Sequence, residues 1–126
     1  MTVLVANEHS QPLNVFLVED QPMLASTLTD ALTTSGIAVV GHAFDVPAAF
    51  AWLDRGLIAD VALVDIVLPS GPAYTILDRL RIMDTATLLI TALDRGRIPS
   101  AYRNIAYLEK PFGTHELLEA VAAIHA

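Results

Sequence analysis

The sequence predicts an α/β fold, with a doubly wound sheet of five parallel strands. Five short apolar runs are candidate strands, and they alternate with segments whose apolar residues recur at helical spacing. The runs are apolar almost throughout, which is typical of parallel strands that are buried on both faces. Because crossovers between parallel strands are right-handed, the helices should cover both faces of the sheet.

The first two strand–helix units begin and end at clear signals. Val15–Val18 is a short β-prone run and predicts the first strand. Pro22 suits the first turn of the helix that follows, and Gly36 suits its end. Ile37–Val40 predicts the second strand, after which Asp45 can cap a second helix.

The rest of the chain supplies three more strands and a closing helix. The third, fourth and fifth strands are predicted, in that order, over Val61–Val64, Leu88–Ile90 and Tyr107–Glu109. The segment 94–104 contains a glycine and a proline and lacks periodicity, so its helix should be short or irregular. Thr114 can cap the closing helix. Among the large apolar side chains of the helices, Met23 and Trp52 are expected in the core.

The composition indicates one globular domain that binds neither nucleic acid nor a membrane. The chain has 126 residues and a formal charge of −7, so it lacks the field of Lys and Arg that duplex contact needs. Its apolar runs are shorter than a bilayer span and no leader-like segment opens the chain, so we expect a cytoplasmic protein. We expect residues 1–13 to be a polar tail and 14–126 to be the folded domain, without an output domain. Cysteine is absent, so oxygen atoms would have to hold any metal.

Charged and hydroxyl side chains follow the predicted strands at the point where each strand ends. The pair Glu19–Asp20 follows the first strand, and Asp65 follows the third. Thr91–Ala92 closes the fourth strand, and Lys110, the only lysine in the chain, comes after the fifth. In open α/β sheets, ligands bind outside the carboxyl ends of the strands. We therefore expect these residues to meet at one rim of the sheet.

Each of these residues alone has an ordinary explanation as a turn, a helix cap or a surface charge, but their joint placement favours a site for phosphoryl transfer. Adjacent carboxylates repel one another, and Mg²⁺ is a hard cation that suits carboxylate and phosphate oxygens. Asp65 would be the nucleophile and a metal ligand, and Lys110 would neutralise charge on the transferred group. Thr91 could donate its hydroxyl to a phosphoryl oxygen, and the small side chain of Ala92 would leave room for the anion.

These residues resemble those of the receiver domains of bacterial response regulators. The resemblance rests on the acidic pair after the first strand, Asp65 with Pro69 four residues on, Thr91–Ala92, and Lys110–Phe112. It runs from about Val15 to the C-terminus. It implies a flavodoxin-like receiver fold with strand order 2-1-3-4-5 and a short or irregular fourth helix.

The resemblance also implies the roles of individual residues. Asp65 would accept a phosphoryl group from a histidine kinase or a histidine phosphotransfer protein. The pair Glu19–Asp20 and the backbone carbonyl of Val67 would complete the protein's contacts with Mg²⁺. Thr91 and Tyr107 match the switch pair of the family, whose movement would reshape the surface that a downstream protein reads. The chain would then be a stand-alone signalling receiver rather than an enzyme.

Two departures from the family pattern carry expectations of their own. Ala73 stands where receivers often have glycine, so the path of the preceding loop is left open. Val67 and Leu93 are apolar at positions where polar side chains can orient an attacking water. We therefore expect the phosphoryl group to persist on the protein.

Two other classes of protein stay open at this point. A receiver-like fold could act as an interaction module without phosphorylation, and the segment 94–112 could support a homodimer. A metal-dependent phosphatase with an aspartyl nucleophile ranks lowest, because such enzymes commonly have a second Asp where Val67 stands. Phosphorylation of Asp65 separates the first alternative from the main hypothesis.

Overall fold

The computed structural model describes residues 12–125 and confirms the predicted α/β class. Within that range the chain forms a five-stranded parallel sheet, a separate two-stranded hairpin and four α-helices, none of them long and apolar enough to cross a membrane. The strands, in chain order, are β1 (Asn14–Val18), β2 (Ala38–Ala43), β3 (Val61–Val64), β4 (Val67–Leu68), β5 (Gly71–Pro72), β6 (Ala86–Thr91) and β7 (Ala106–Glu109). The helices are α1 (Pro22–Thr34), α2 (Val46–Asp54), α3 (Tyr74–Ile82) and α4 (Thr114–His125).

The order of the strands in the main sheet is β2-β1-β3-β6-β7, which is the predicted order once the short hairpin of β4 and β5 is set aside. Every neighbouring pair in this sheet is parallel. Val18 of β1 lies opposite Val64 of β3, and Val64 lies opposite Leu89 of β6. The residues that follow these strands therefore leave the sheet at one rim.

Alternate residues of the central strand β1 pack against helices on the two faces of the sheet. Phe16 and Val18 belong to a core with α2 and α3, whereas Val15 and Leu17 belong to a core with α1 and α4. All four side chains are completely buried. Because helices cover both faces, the strands can be apolar throughout, and this is the pattern that predicted them.

The prediction of the second strand over 37–40 is wrong at its end, because β2 continues through Gly41 to Ala43. Gly41 interrupts the apolar run in the sequence, but its missing side chain makes room for the ring of Trp52. That ring stacks on Phe16, with 4.0 Å between the ring centroids. Trp52 therefore packs on the core as expected.

Two expectations about the helices are also corrected. Met23 is 85% exposed rather than part of the core. It lies two residues before Ala25, the first buried position of α1, and therefore on the opposite side of that helix. Thr114 is the first residue of α4 rather than its cap. Gly113 takes the capping position, and its N–H donates to the carboxylate of Glu116.

The segment 94–104 contains no α-helix, which confirms the expectation of an irregular connection. It forms two 3₁₀ turns, Arg95–Arg97 and Ser100–Tyr102, and the side chain of Ile98 between them is buried. The guanidinium group of Arg103 donates to the backbone carbonyl of Ile98 at 2.6 Å. Side-chain contacts of this kind, rather than a helical ladder, hold the segment in place.

Gly41→Ala should destabilise the fold by about 1–3 kcal/mol, because the added methyl group would overlap the ring of Trp52. Gly96→Ala is the matched control, since there the nearest atom to the new group is a carboxylate oxygen of Asp94 at 3.3 Å. The control should change the free energy of unfolding by less than about 0.5 kcal/mol. Urea unfolding followed by circular dichroism measures both variants. Equal stability of the two would contradict the packing of Trp52 on β2.

Candidate functional site

Three carboxylate side chains converge at the carboxyl ends of β1 and β3. Glu19 and Asp20 directly follow β1, and Asp65 directly follows β3. Each contributes one carboxylate oxygen to a group whose members lie within 4.8 Å of one another. Glu19 and Asp65 are buried, whereas Asp20 is half-buried. The parallel register of the strands thus brings together acids that are far apart in the sequence.

The ammonium group of Lys110 lies between two of these carboxylates. Its Nζ atom is 2.9 Å from Oε1 of Glu19 and 2.8 Å from Oδ2 of Asp65. The backbone N–H of Lys110 donates to the carbonyl of Thr91 at 2.8 Å, which places the residue beside the end of β6. The peptide bond between Lys110 and Pro111 is cis. One cation therefore compensates part of the negative charge of both buried acids.

Burial and ion pairing shift the pKa values of this cluster. Burial raises the pKa of Glu19 above its ordinary value, and hydrogen bonds from Lys110 and from the N–H of Gln21 oppose the shift only in part. Burial alone would lower the pKa of Lys110, but its hydrogen bonds with Asp65 and Glu19 outweigh that effect, so this pKa is also raised. Lys110 is therefore held in its charged form, and burial makes the ionisation of Glu19 more costly than it is in water.

An open cavity of about 370 Å³ reaches the buried carboxylate of Asp65. Its lining residues are Asp20, Gln21, Asp65, Val67, Ala92, Leu93, Arg97 and Lys110. The lining includes five of the eight site residues predicted from the sequence. Glu19 and Thr91 are buried and contact lining residues instead, whereas Tyr107 does not line the cavity.

Leu93 joins the two residues of the predicted switch pair through its backbone. Its N–H donates to the hydroxyl oxygen of Thr91 at 3.3 Å, and its carbonyl accepts a hydrogen bond from the hydroxyl of Tyr107. Burial raises the pKa of Tyr107, and the charge of Glu109 adds to the shift, so the Tyr107 hydroxyl keeps its proton. Movement of either switch residue would break a hydrogen bond with Leu93.

The loop after Asp65 contains Val67 and leads to Ala73, two positions at which the sequence raises specific expectations. The N–H of Val67 donates to Oδ1 of Asp65 at 3.1 Å, while the metal contact of the Val67 carbonyl stays a prediction. The loop turns at Gly71, whose φ of 122° favours glycine. Ala73 is buried and has an ordinary φ of −86°. This position therefore does not need the glycine that receivers often have there.

The donor set suits a hard divalent cation. Three carboxylates and one ammonium group leave an excess of negative charge when all are ionised. Both oxygens of Glu19 already accept hydrogen bonds, from Lys110 and from the N–H of Gln21. Asp20 lines the open cavity, and within residues 12–125 its side chain forms no hydrogen bond or ion pair. The oxygens of Asp20 are therefore better placed than those of Glu19 to bind a cation such as Mg²⁺. Both oxygens of Asp65 also accept hydrogen bonds, from Lys110 and from the N–H of Val67, but Asp65 differs from Glu19 in lining the cavity.

Sequence reasoning misses two features of this site. Leu93 connects the switch pair through backbone atoms, which leave no mark in the sequence. Arg97 lines the cavity from the irregular segment, where no periodicity indicates the direction of a side chain. The only sequence signal for Arg97 is a positive charge in a strongly acidic chain.

A protein-family model described as the response regulator receiver domain matches residues 15–122. Among curated proteins, the chain is similar to the transcriptional regulatory protein TrcR of Mycobacterium tuberculosis, with 36% identity over 113 residues. That match covers 85% of this chain and 43% of TrcR. The chain thus spans less than half the length of this curated relative.

Solved structures show the same fold. SdrG from Sphingomonas melonis Fr1 has a TM-score of 0.78 and 26% identity, over 92% of this chain and 98% of SdrG. The signal receiver domain of the response regulator NarL from Mycobacterium tuberculosis has a TM-score of 0.76 and 27% identity, over 91% of this chain and 97% of that domain. The family match includes the three acids and Lys110.

Lys110→Met should lower the free energy of unfolding at neutral pH by about 3–5 kcal/mol, because it leaves two buried carboxylates without their cation. The loss should be smaller near pH 5. The pKa of Glu19 is raised in the folded state, so as the pH falls toward 4.5 the folded protein binds a proton on Glu19 before the unfolded chain does. Protonation of Glu19 then removes its repulsion with Asp65. Urea titrations at both pH values measure this difference.

Arg79→Met is the control for this variant, because it removes an ion pair with Asp54 in which the two side chains are 35% and 61% exposed. It should cost less than about 1 kcal/mol, with little dependence on pH. A Lys110→Met protein as stable as the control at neutral pH would contradict the buried ion pairs.

Proposed function

Because this chain belongs to the response regulator receiver domain family, we propose that it accepts a phosphoryl group on Asp65 and transmits the signal through a change of its surface. The family is a signalling family of two-component systems. The donor would be a histidine kinase or a histidine phosphotransfer protein. A downstream protein, or a second copy of the chain, would bind the changed surface.

The placement of Asp65 carries this proposal. Its side chain is only 6% exposed, yet the cavity reaches it, and Nζ of Lys110 is 2.8 Å from its Oδ2 atom. In the proposed step, a carboxylate oxygen of Asp65 forms a bond to phosphorus as the P–N bond of a phosphohistidine breaks. The imidazole nitrogen keeps the electron pair of that bond. Lys110 remains protonated and stabilises charge on the phosphoryl oxygens.

Glu19, Asp20 and Asp65, together with the carbonyl of Val67, would hold Mg²⁺ at this site. When bound, the cation supplies positive charge that offsets repulsion between the carboxylates and the phosphoryl oxygens. The open oxygens of Asp20 support this assignment. The raised pKa of Glu19 supports it as well, because added positive charge would stabilise the ionised form of this buried acid.

The hydrogen bonds of Leu93 support a route from the phosphoryl group to the surface. If Thr91 moves in order to donate its hydroxyl to a phosphoryl oxygen, the hydrogen bond that its oxygen now accepts from the Leu93 N–H would be broken. The backbone of Leu93 also holds the hydroxyl of Tyr107. A shift at Thr91 would therefore move Tyr107 and the segment 94–104.

Incubation with acetyl phosphate and Mg²⁺ should add the mass of one phosphoryl group to the wild-type protein. Asp65→Asn should add none, because an amide is not a nucleophile of this kind. Lys110→Ala should react at least about tenfold more slowly, since it removes a charge that stabilises the transferred group. Removal of Mg²⁺ with a chelator should suppress the reaction. Intact-mass spectrometry over time measures each rate.

Asp30→Asn is the control for loss of one carboxylate, because Asp30 lies exposed on α1. This variant should react like the wild type. A wild-type protein that gains no phosphoryl mass would contradict the proposal and favour an interaction module that works without phosphorylation.

Tyr107→Phe should leave the rate of phosphorylation within about twofold of the wild type but weaken the structural response. It removes the hydroxyl that binds the Leu93 carbonyl, while the aromatic ring remains. Amide NMR shifts of the segment 94–104 before and after phosphorylation measure the response. Tyr74→Phe, on α3, is the control and should respond as the wild type does. Equal responses of the two variants would exclude the Tyr107 hydroxyl from the route.

A further inference from the structure

We propose that Arg97 is a second phosphoryl-binding cation of this site, and that the irregular segment 94–104 holds it at the mouth of the cavity. This inference rests on the proposed phosphorylation of Asp65. Arg97 lines the same cavity as Asp65 and Lys110. It is the last residue of the first 3₁₀ turn. This turn belongs to the segment 94–104, where the sequence predicts a short or irregular helix.

The charges around the cavity distinguish Arg97 from Lys110. The ammonium group of Lys110 is already paired with Glu19 and Asp65. The guanidinium group of Arg97 is exposed and forms no hydrogen bond or ion pair with any residue from 12 to 125. Among residues 12–125, an anion that enters the cavity therefore meets two carboxylates, Asp20 and Asp65, the paired cation of Lys110 and the unpaired cation of Arg97.

A guanidinium group is well suited to this position. Its planar fork can donate two parallel hydrogen bonds to two oxygens of one phosphoryl group. An ammonium group such as that of Lys110 acts instead as a compact point charge. The two cations would therefore contact different oxygens, with Lys110 beside the nucleophile and Arg97 on the side that faces solvent.

Arg103 holds the backbone on both sides of Arg97. Its guanidinium group donates to the carbonyl of Gly96 at 3.2 Å and to the carbonyl of Ile98 at 2.6 Å. The side chain of Ile98 is buried in the core, so it attaches the turn to the body of the domain. The Arg97 backbone is thus held between two fixed carbonyls, and only its side chain is left to reach the ligand.

The same turn contacts the switch residue Tyr107. The guanidinium group of Arg95 lies 5.5 Å from the centre of the Tyr107 ring, within the range of a cation–π contact. One three-residue turn, Arg95–Arg97, therefore contacts the switch ring at one end and the cavity at the other. A phosphoryl group bound by Arg97 would therefore displace the turn whose Arg95 contacts Tyr107.

The chemistry of the transfer is unchanged by this role. With acetyl phosphate as donor, a bond forms between a carboxylate oxygen of Asp65 and phosphorus, and the bond from phosphorus to the acetyl oxygen breaks. Acetate leaves with the electron pair of that bond. Arg97 keeps all its protons and contributes only hydrogen bonds and charge.

The test compares Arg97→Gln and Arg97→Lys with Arg55→Gln in the reaction with acetyl phosphate and Mg²⁺, followed by intact mass. Arg55 is exposed and follows α2, at the end of that helix that lies away from the carboxyl ends of the strands. Arg55→Gln therefore removes the same charge as Arg97→Gln, but not from the cavity. Arg97→Gln should react about fivefold more slowly, the effect expected of one exposed charge. Arg97→Lys should recover part of the rate, and Arg55→Gln should match the wild type. Arg103→Met should reproduce part of the Arg97→Gln effect, because it releases the turn.

A second measurement separates this inference from the proposed function. Inorganic phosphate with Mg²⁺ is titrated into the wild type and Arg97→Gln, and the amide NMR signals of Gly96 and Ile98 are followed. Shifts in the wild type alone support the role of Arg97, even if acetyl phosphate adds no mass and the proposed function fails. If the wild type is phosphorylated and Arg97→Gln slows no more than Arg55→Gln, or if phosphate shifts both proteins equally, the proposal is overturned.

Discussion

A single ammonium group has to satisfy two buried acids, and the arrangement of the rim depends on it. Lys110 contacts Glu19 and Asp65, which are 91 and 45 positions away in the sequence. A buried carboxylate without a partner is costly, because the protein cannot replace the water that it loses. The strands after which these three residues stand must therefore reach the same rim of the sheet. The parallel register of β1, β3, β6 and β7 meets this requirement.

The three acids are chemically alike, but their surroundings make them different. Glu19 is completely buried and both of its oxygens accept hydrogen bonds. Asp65 is buried but borders the cavity, and Asp20 is half-buried with open oxygens. This decrease in burial from Glu19 to Asp65 to Asp20 favours a different role for each acid. Glu19 contacts Lys110, and under the proposed function Asp65 would react while Asp20 would offer oxygens to a cation. Burial, with a carboxylate at every position, can separate these roles.

The sequence predicts the fold and the rim because one physical cause produces both patterns. A strand buried on both faces must be apolar, so the first charged residue after it marks the edge of the sheet, as Asp65 does after Val61–Val64. Features set by distant packing leave no such mark. The continuation of β2 through Gly41 depends on the ring of Trp52, and the position of Arg97 depends on carbonyls held by Arg103. Neither contact has a periodicity that a single sequence can reveal.

The ammonium group of Lys110 is held between two carboxylates, and NMR tests this placement directly. Since Lys110 is the only lysine, the side-chain ¹H–¹⁵N NMR spectrum should contain one lysine ammonium signal, which needs no assignment. We expect this signal to exchange slowly with water and to titrate above the ordinary pKa of 10.5, because the hydrogen bonds to Asp65 and Glu19 outweigh burial. A signal that exchanges as fast as that of an exposed lysine, or that titrates at or below 10.5, would show that the ammonium group is not held between the two carboxylates.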